Sequence, residues 1–143
     1  MTGEARREPG AGLCVLVVED ERIISMALTA LLRGLGHRVV ACVASGEAAL
    51  AALAAQEGQR PDLVLLDIHL EGGLDGIATA QAIRERKGPP VAFTSAYTDA
   101  ETRQRAQALE PLAFLPKPVG PQDIKKLVDA LAASVCPGEG QPG

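Results

Sequence analysis

Two apolar runs in this sequence end abruptly in acid. Leu13-Cys14-Val15-Leu16-Val17-Val18 delivers Glu19 and Asp20, and Leu63-Val64-Leu65-Leu66 delivers Asp67. Two further runs end in other reactive side chains. Val91-Ala92-Phe93-Thr94 leads to Ser95, and Leu112-Ala113-Phe114-Leu115 leads through Pro116 to Lys117. Two carboxylates about 4 Å apart repel by roughly 4 kcal/mol at an effective dielectric near 20. Three such groups gathered at neutral pH therefore call for a cation. An all-oxygen, hard and solvent-accessible donor set suits Mg²⁺, which keeps several waters and takes one or two carboxylates plus phosphate. A divalent ion beside a carboxylate, an ammonium and a hydroxyl makes a site for a phosphoryl group. Asp67 is then the candidate nucleophile, since aspartyl phosphates are established covalent intermediates. The ion and Lys117 would neutralise the equatorial oxygens, and Ser95 would donate a hydrogen bond.

The elements that must position these groups follow from the same runs. A short, continuous apolar run bounded by turn signals reads as a strand buried on both faces of a parallel sheet. In open α/β sheets, ligands collect outside the carboxyl ends of such strands. Between the runs lie helical patterns. Ile23, Ile24, Ala27, Leu28, Leu31 and Leu32 recur at helical spacing and stop at Gly34 and Gly36. Arg38 to Val43 is a short strand. Ser45 caps a helix to about Gln56, with Ala49, Leu50 and Leu53 inward. A third helix runs from about Gly76 to Arg86 on Ile77, Ala80 and Ile83. Asp99 caps a fourth, polar helix, and Gly120-Pro121 starts a last one on Ile124, Leu127, Val128 and Leu131.

Five strands alternating with five helices predict an α/β fold, a doubly wound parallel five-stranded sheet of flavodoxin-like (βα)5 type with strand order 2-1-3-4-5. Strands two and five are then edges, in keeping with Pro116 beside the fifth. Strands one, three and four become neighbours, so the acids and the hydroxyl share one rim. Residues 1–11 read as a flexible leader, 12–135 as one domain and 136–143 as a flexible tail.

Composition excludes several classes. With 143 residues, 47% apolar and 22% charged, the chain suits one domain with a full core. A net charge of −4 gives no electrostatic support to nucleic-acid binding. No apolar run approaches the roughly 20 residues of a membrane span, and no signal-peptide core opens the chain. A cytoplasmic protein is the expectation. Cys14, Cys42 and Cys136 match no common metal spacing and read as reduced thiols, Cys42 as a small buried hydrophobe.

Taken together, Val18-Glu19-Asp20-Glu21, Leu65-Leu66-Asp67, Thr94-Ser95-Ala96-Tyr97 and Lys117-Pro118, in that order and at those spacings, resemble the response-regulator receiver domain of two-component signalling. The resemblance covers about Leu13 to Ala133 and is of the stand-alone type, with no output domain following. It implies that Asp67 accepts phosphate from a phosphohistidine on a sensor histidine kinase or phosphotransfer protein. Asp20, with Glu19 close by, would hold Mg²⁺, helped by Asp67 and the backbone carbonyl of His69. Ser95 and Lys117 would contact the phosphoryl group, and the Lys117-Pro118 bond would be cis. Ser95, Phe114 and Tyr97 would form the switch, with Tyr97 beside the pocket. The fourth helix, fifth strand and fifth helix would change partner affinity, and self-association is one route for the signal. The chain departs from the family pattern in carrying Phe114 where tyrosine is frequent, and Val119-Gly120 after Lys117-Pro118.

Each residue alone has a plainer reading. Glu21 is a helix-start charge, His69 a solvated rim residue, and Lys125-Lys126 an exposed helix face. Two other classes compete as wholes. One is a receiver-like binding or dimerisation module without phosphotransfer, against which the complete set of acids, hydroxyl and lysine argues. The other is a phosphatase or phosphotransferase acting on small molecules, which needs a second acid near Asp67 where His69 stands.

Overall fold

Val15 to Val18 and Leu63 to Leu66 are each at most 1% exposed, as strands covered on both faces require. The structure, a computed structural model, describes residues 12–55, 60–96 and 99–135. The leader 1–11, the tail 136–143, Cys136, Tyr97 and the helix end near Gln56 lie outside the described residues.

Ten elements alternate: β1 (Cys14–Val18), α1 (Arg22–Gly34), β2 (Arg38–Val43), α2 (Gly46–Ala55), β3 (Leu63–Asp67), α3 (Gly76–Glu85), β4 (Val91–Ser95), α4 (Ala100–Gln107), β5 (Ala113–Pro116) and α5 (Pro121–Val135). The strands form one parallel sheet in the order β2-β1-β3-β4-β5. Alternation along each strand feeds two cores. Leu16, Val18, Val64, Leu66 and Phe93 point to one face, where Ala49 of α2, Ile77, Ala80 and Ile83 of α3 and Ala106 of α4 cover them. Val15, Val17, Leu63, Leu65 and Ala92 point to the other, under Leu28 and Leu32 of α1 and Ile124, Leu127 and Leu131 of α5.

The helix starts are capped as the sequence demands. The Ser45 hydroxyl accepts from the Ala48 N–H at 3.0 Å, and the Asp99 carboxylate accepts from the Thr102 N–H at 2.8 Å. Asp75, which the sequence reading did not single out, caps α3 through the Ala78 N–H at 2.8 Å. Two glycines let helices approach closely. A Cβ on Gly46 would sit 2.0 Å from Thr79 Oγ1, so α2 meets α3 only because that side chain is absent. A Cβ on Gly76 would sit 2.3 Å from the Asp67 carbonyl and 2.6 Å from Ile68 Cα, so α3 starts directly against the end of β3.

Three details depart from the sequence reading. Ile23 and Ala27, expected on the buried stripe of α1, are exposed, Ile23 by 81%, because the inward face of that helix is set by Leu28 and Leu32. Cys42 is exposed, not buried: it lies on edge strand β2, with its Sγ 3.0 Å from Thr29 Oγ1. Strand β5 starts at Ala113 and runs one residue further, ending on the exposed Pro116, whose missing N–H costs least on an edge.

Candidate functional site

The carboxyl ends of β1, β3, β4 and β5 meet above the sheet. Glu19 follows β1 directly, and its N–H donates to the Val43 carbonyl of β2 at 3.0 Å. Asp67 is the last residue of β3, paired across the sheet with Thr94. Ser95 ends β4, buried, and its carbonyl accepts from the Lys117 N–H at 2.9 Å. That bond ties the lysine's backbone to β4. The Lys117-Pro118 bond is cis, as the resemblance implies.

Lys117 reaches back across the rim. Its Nζ lies 2.9 Å from Glu19 Oε1 and 3.2 Å from Asp67 Oδ2. The second oxygens are also engaged. Glu19 Oε2 accepts from the Glu21 N–H at 3.0 Å, and Asp67 Oδ1 accepts from the His69 N–H at 3.0 Å. Asp20 accepts through Oδ2 from the Glu71 N–H at 3.1 Å. Sequence reading missed this last contact, because a loop amide carries no side-chain signal. Glu19 and Asp67 are buried, and Asp20 is half-buried.

Burial pushes the Glu19 carboxyl up from its ordinary value, and the Asp67 charge adds to that; Lys117 and the Glu21 N–H oppose it without cancelling it. Burial works against the Lys117 ammonium, but its contacts with Glu19 and Asp67 outweigh that and hold it above its ordinary value. Lys117 therefore keeps its charge beside the two carboxylates.

Carboxylate oxygens of Glu19, Asp20 and Asp67 all lie within 4.8 Å of one another. Three carboxylates against one ammonium leave two negative charges unbalanced at a rim of oxygen donors. That donor set and charge fit a hard divalent cation. An open cleft of about 380 Å³ lies over the cluster, lined by Asp20, Glu21, Asp67, His69, Glu71, Ala96 and Lys117. It has room for a phosphoryl group.

The structure thus brings Glu19, Asp20, Asp67 and Lys117 together, with Ser95 at the end of the adjoining strand. The His69 side chain is exposed at the rim. Phe114 stands apart from the cluster. Its ring centroid is 5.5 Å from that of the fully buried Phe93, and the Arg103 guanidinium of α4 covers it at 4.6 Å.

A parallel 2-1-3-4-5 sheet with acids and a lysine at its carboxyl rim defines a class: aspartate-centred signalling domains. Residues 15–129 match the family model described as the response regulator receiver domain. The chain belongs to that family, and so is a phosphoacceptor signalling module of two-component type. It is 32% identical over 130 residues to the phyllosphere-induced regulator PhyR of Methylorubrum extorquens, covering 90% of this chain and 47% of that one. It is 31% identical over 110 residues to the transcriptional regulatory protein PdtaR of Mycobacterium tuberculosis, covering 77% of this chain and 52% of that one. The chain thus spans about half the length of these curated relatives. Among solved structures, the signal receiver domain of a modulated diguanylate cyclase from Desulfovibrio desulfuricans G20 superposes with a TM-score of 0.77 at 34% identity, covering 85% of this chain and 94% of that one. No helix among the described residues is long and apolar enough to cross a membrane.

Proposed function

We propose that Asp67 is the phosphoacceptor and that the phosphoryl group comes from a phosphohistidine on a sensor histidine kinase or phosphotransfer protein. The observation that carries this is the Lys117 ammonium held between Glu19 and Asp67, beside Asp20 and under an open cleft. An Asp67 oxygen attacks phosphorus, the nitrogen–phosphorus bond breaks, and its electron pair leaves on the imidazole. The product is an acyl phosphate on Asp67, which water later cleaves.

Lys117 is placed to neutralise charge on the transferring oxygens, and Ser95 to donate to one of them. The donor set fits Mg²⁺, with Asp20, Asp67 and the His69 carbonyl as its holders and Glu19 adding the third negative charge. When bound, the ion supplies charge neutralisation at the phosphoryl oxygens. The protein turns over no free metabolite; its chemistry is confined to its own phosphorylation and dephosphorylation. The folded unit, 12–135, works in the cytoplasm and passes its signal by protein contact through α4, β5 and α5, where Ser95 and Phe114 form the switch. Self-association through that face is one such contact.

The test is incubation with Mg²⁺ and acetyl phosphate, followed by intact-mass spectrometry beside Asp67→Ala. A single phosphoryl adduct on the natural protein, absent from the variant, is the expected result. No adduct, together with no Mg²⁺ binding at millimolar metal, would instead establish a receiver-like binding module.

A further inference from the structure

We infer that Arg103 is a releasable clasp that holds α4 against the sheet through the ring of Phe114, with Arg84 as a fixed pivot at the other end of the helix. The apolar hold on α4 is slight. Of its eight residues only Ala106 is buried; Thr102 is half-buried and the rest are exposed. Two arginines add to that hold. Arg103 lies one turn before Ala106, on the same side of the helix. Its guanidinium sits 4.6 Å from the centroid of the Phe114 ring on β5. Arg84, in the last turn of α3, donates to the Leu109 carbonyl just past the end of α4 and to Glu110 Oε1 at 3.3 Å.

The two contacts differ in kind. Arg84 binds a carbonyl at the negative end of the helix dipole and a carboxylate, both by hydrogen bonds from a cation. It stands on α3, which buries five of its ten residues, so that end of α4 is tied to a firm element. Arg103 instead lies over a ring face. At an exposed site such a contact is weak, and breaking it strands no buried charge, because Arg103 is already in water. The Phe114 side chain has no polar atom to fix it. Its ring packs on Phe93, its register partner on β4, at 5.5 Å and lies under the guanidinium. Arg103 therefore holds ring and helix together, and its release lets α4 swing about its C-terminal end. The other end joins the rim: Ser95 closes β4, and Asp99, four residues on, caps α4. Release thus loosens the helix end that follows the hydroxyl facing the phosphoryl group. This link to phosphorylation rests on the phosphoacceptor reading of the site.

Four single variants of the full chain separate clasp from pivot. Arg103→Gln removes the cation and keeps a polar side chain, Arg103→Lys restores a cation, Phe114→Leu removes the ring face, and Arg84→Gln removes the pivot. Amide hydrogen exchange is read in the unphosphorylated protein, and the labelling rate at saturating Mg²⁺ with acetyl phosphate. In Arg103→Gln, α4 amides are expected to exchange about fivefold faster while those of β3 and β4 stay unchanged. Arg103→Lys stays within about twofold of the natural protein. Phe114→Leu matches Arg103→Gln, and the double variant is no faster than the faster single one, because both break the same contact. Arg84→Gln speeds exchange in the last turn of α4 alone. The labelling rate rises by about threefold in Arg103→Gln, and by linkage phosphorylation speeds α4 exchange in the natural protein.

Unchanged α4 exchange in Arg103→Gln overturns the proposal. So do effects of Arg103→Gln and Phe114→Leu that multiply in the double variant, since the two residues would then act separately. An unchanged labelling rate in Arg103→Gln, with the natural protein labelled, overturns the link to the site. If the natural protein takes no phosphoryl group at all, the phosphoacceptor reading fails. The exchange comparison needs no phosphorylation and still decides the clasp, so the two failures are distinguishable.

Discussion

Adding one methyl group at Gly76 should damage the fold and the site together. A Cβ there meets three backbone atoms: the Asp67 carbonyl at 2.3 Å, Ile68 Cα at 2.6 Å and the Ile68 carbonyl at 2.7 Å. None of these is the far end of a side chain that could rotate away. Relief requires α3 to move off the end of β3, the strand that carries Asp67. Overpacking of this kind costs about 1–3 kcal/mol, and the absence of a yielding neighbour places Gly76→Ala near the upper figure. For a domain of this size, each kcal/mol moves Tm by roughly 3–5 °C, so a fall of about 10 °C is expected. Gly34→Ala supplies the control. Nothing lies within 4 Å of a Cβ at Gly34, the last residue of α1. The same substitution there should raise stability by about 0.5 kcal/mol through helix propensity and a less disordered unfolded chain. Thermal unfolding by circular dichroism gives both signs, and acetyl-phosphate labelling should fall in Gly76→Ala only. A Gly76→Ala protein with unchanged Tm and unchanged labelling would refute the claim that α3 is seated by this contact.

Removing the α3 cap with Asp75→Ala takes away the acceptor of the Ala78 N–H and should cost about 1 kcal/mol, read as a lower urea midpoint. Phe93→Ala empties a fully buried position between β3 and β5 and should cost about 3–5 kcal/mol in the same assay. His37 should make stability depend on pH. Its Nδ1 accepts from the Leu13 N–H at 3.0 Å, and burial lowers its pKa from the ordinary 6.5. The neutral ring is therefore favoured in the folded state. Its contribution is present above the unfolded value and is lost as pH falls through that value toward the lower folded one. The natural protein should lose more stability between about pH 7.5 and pH 5 than His37→Gln does, in paired urea titrations.

The strands were legible because burial on both faces leaves a signature in single residues: every position of β1 and β3 must be apolar until the sheet ends, and the acids mark where it ends. The caps at Ser45 and Asp99 were legible for a similarly local reason. What escaped the sequence depends on neighbours far along the chain. Ile23 fits a helical stripe as well as Leu28 does, and only the placement of the sheet decides that it faces out. Cys42 sits in an apolar run, but its strand is an edge. Gly46 and Gly76 read as helix punctuation, whereas their use is to let another element come close. The acid cluster was expected, and its all-oxygen character follows from residue type. That Lys117 reaches both Glu19 and Asp67, and that Asp20 takes the Glu71 amide, are facts of three-dimensional reach.

The two helices on either side of β4 are unequally anchored. Helix α3 buries five of its ten residues, while α4 buries only Ala106 of its eight. Amides of α4 should therefore exchange with solvent through local opening, well before those of β3 or β4. Nearly every position of α4 can also change without loss to the core. If α4 belongs to the signalling face proposed above, sequence drift can rewrite its outer surface while the acid rim and its lysine stay fixed, so a lineage of such proteins can exchange listeners without rebuilding the receiver.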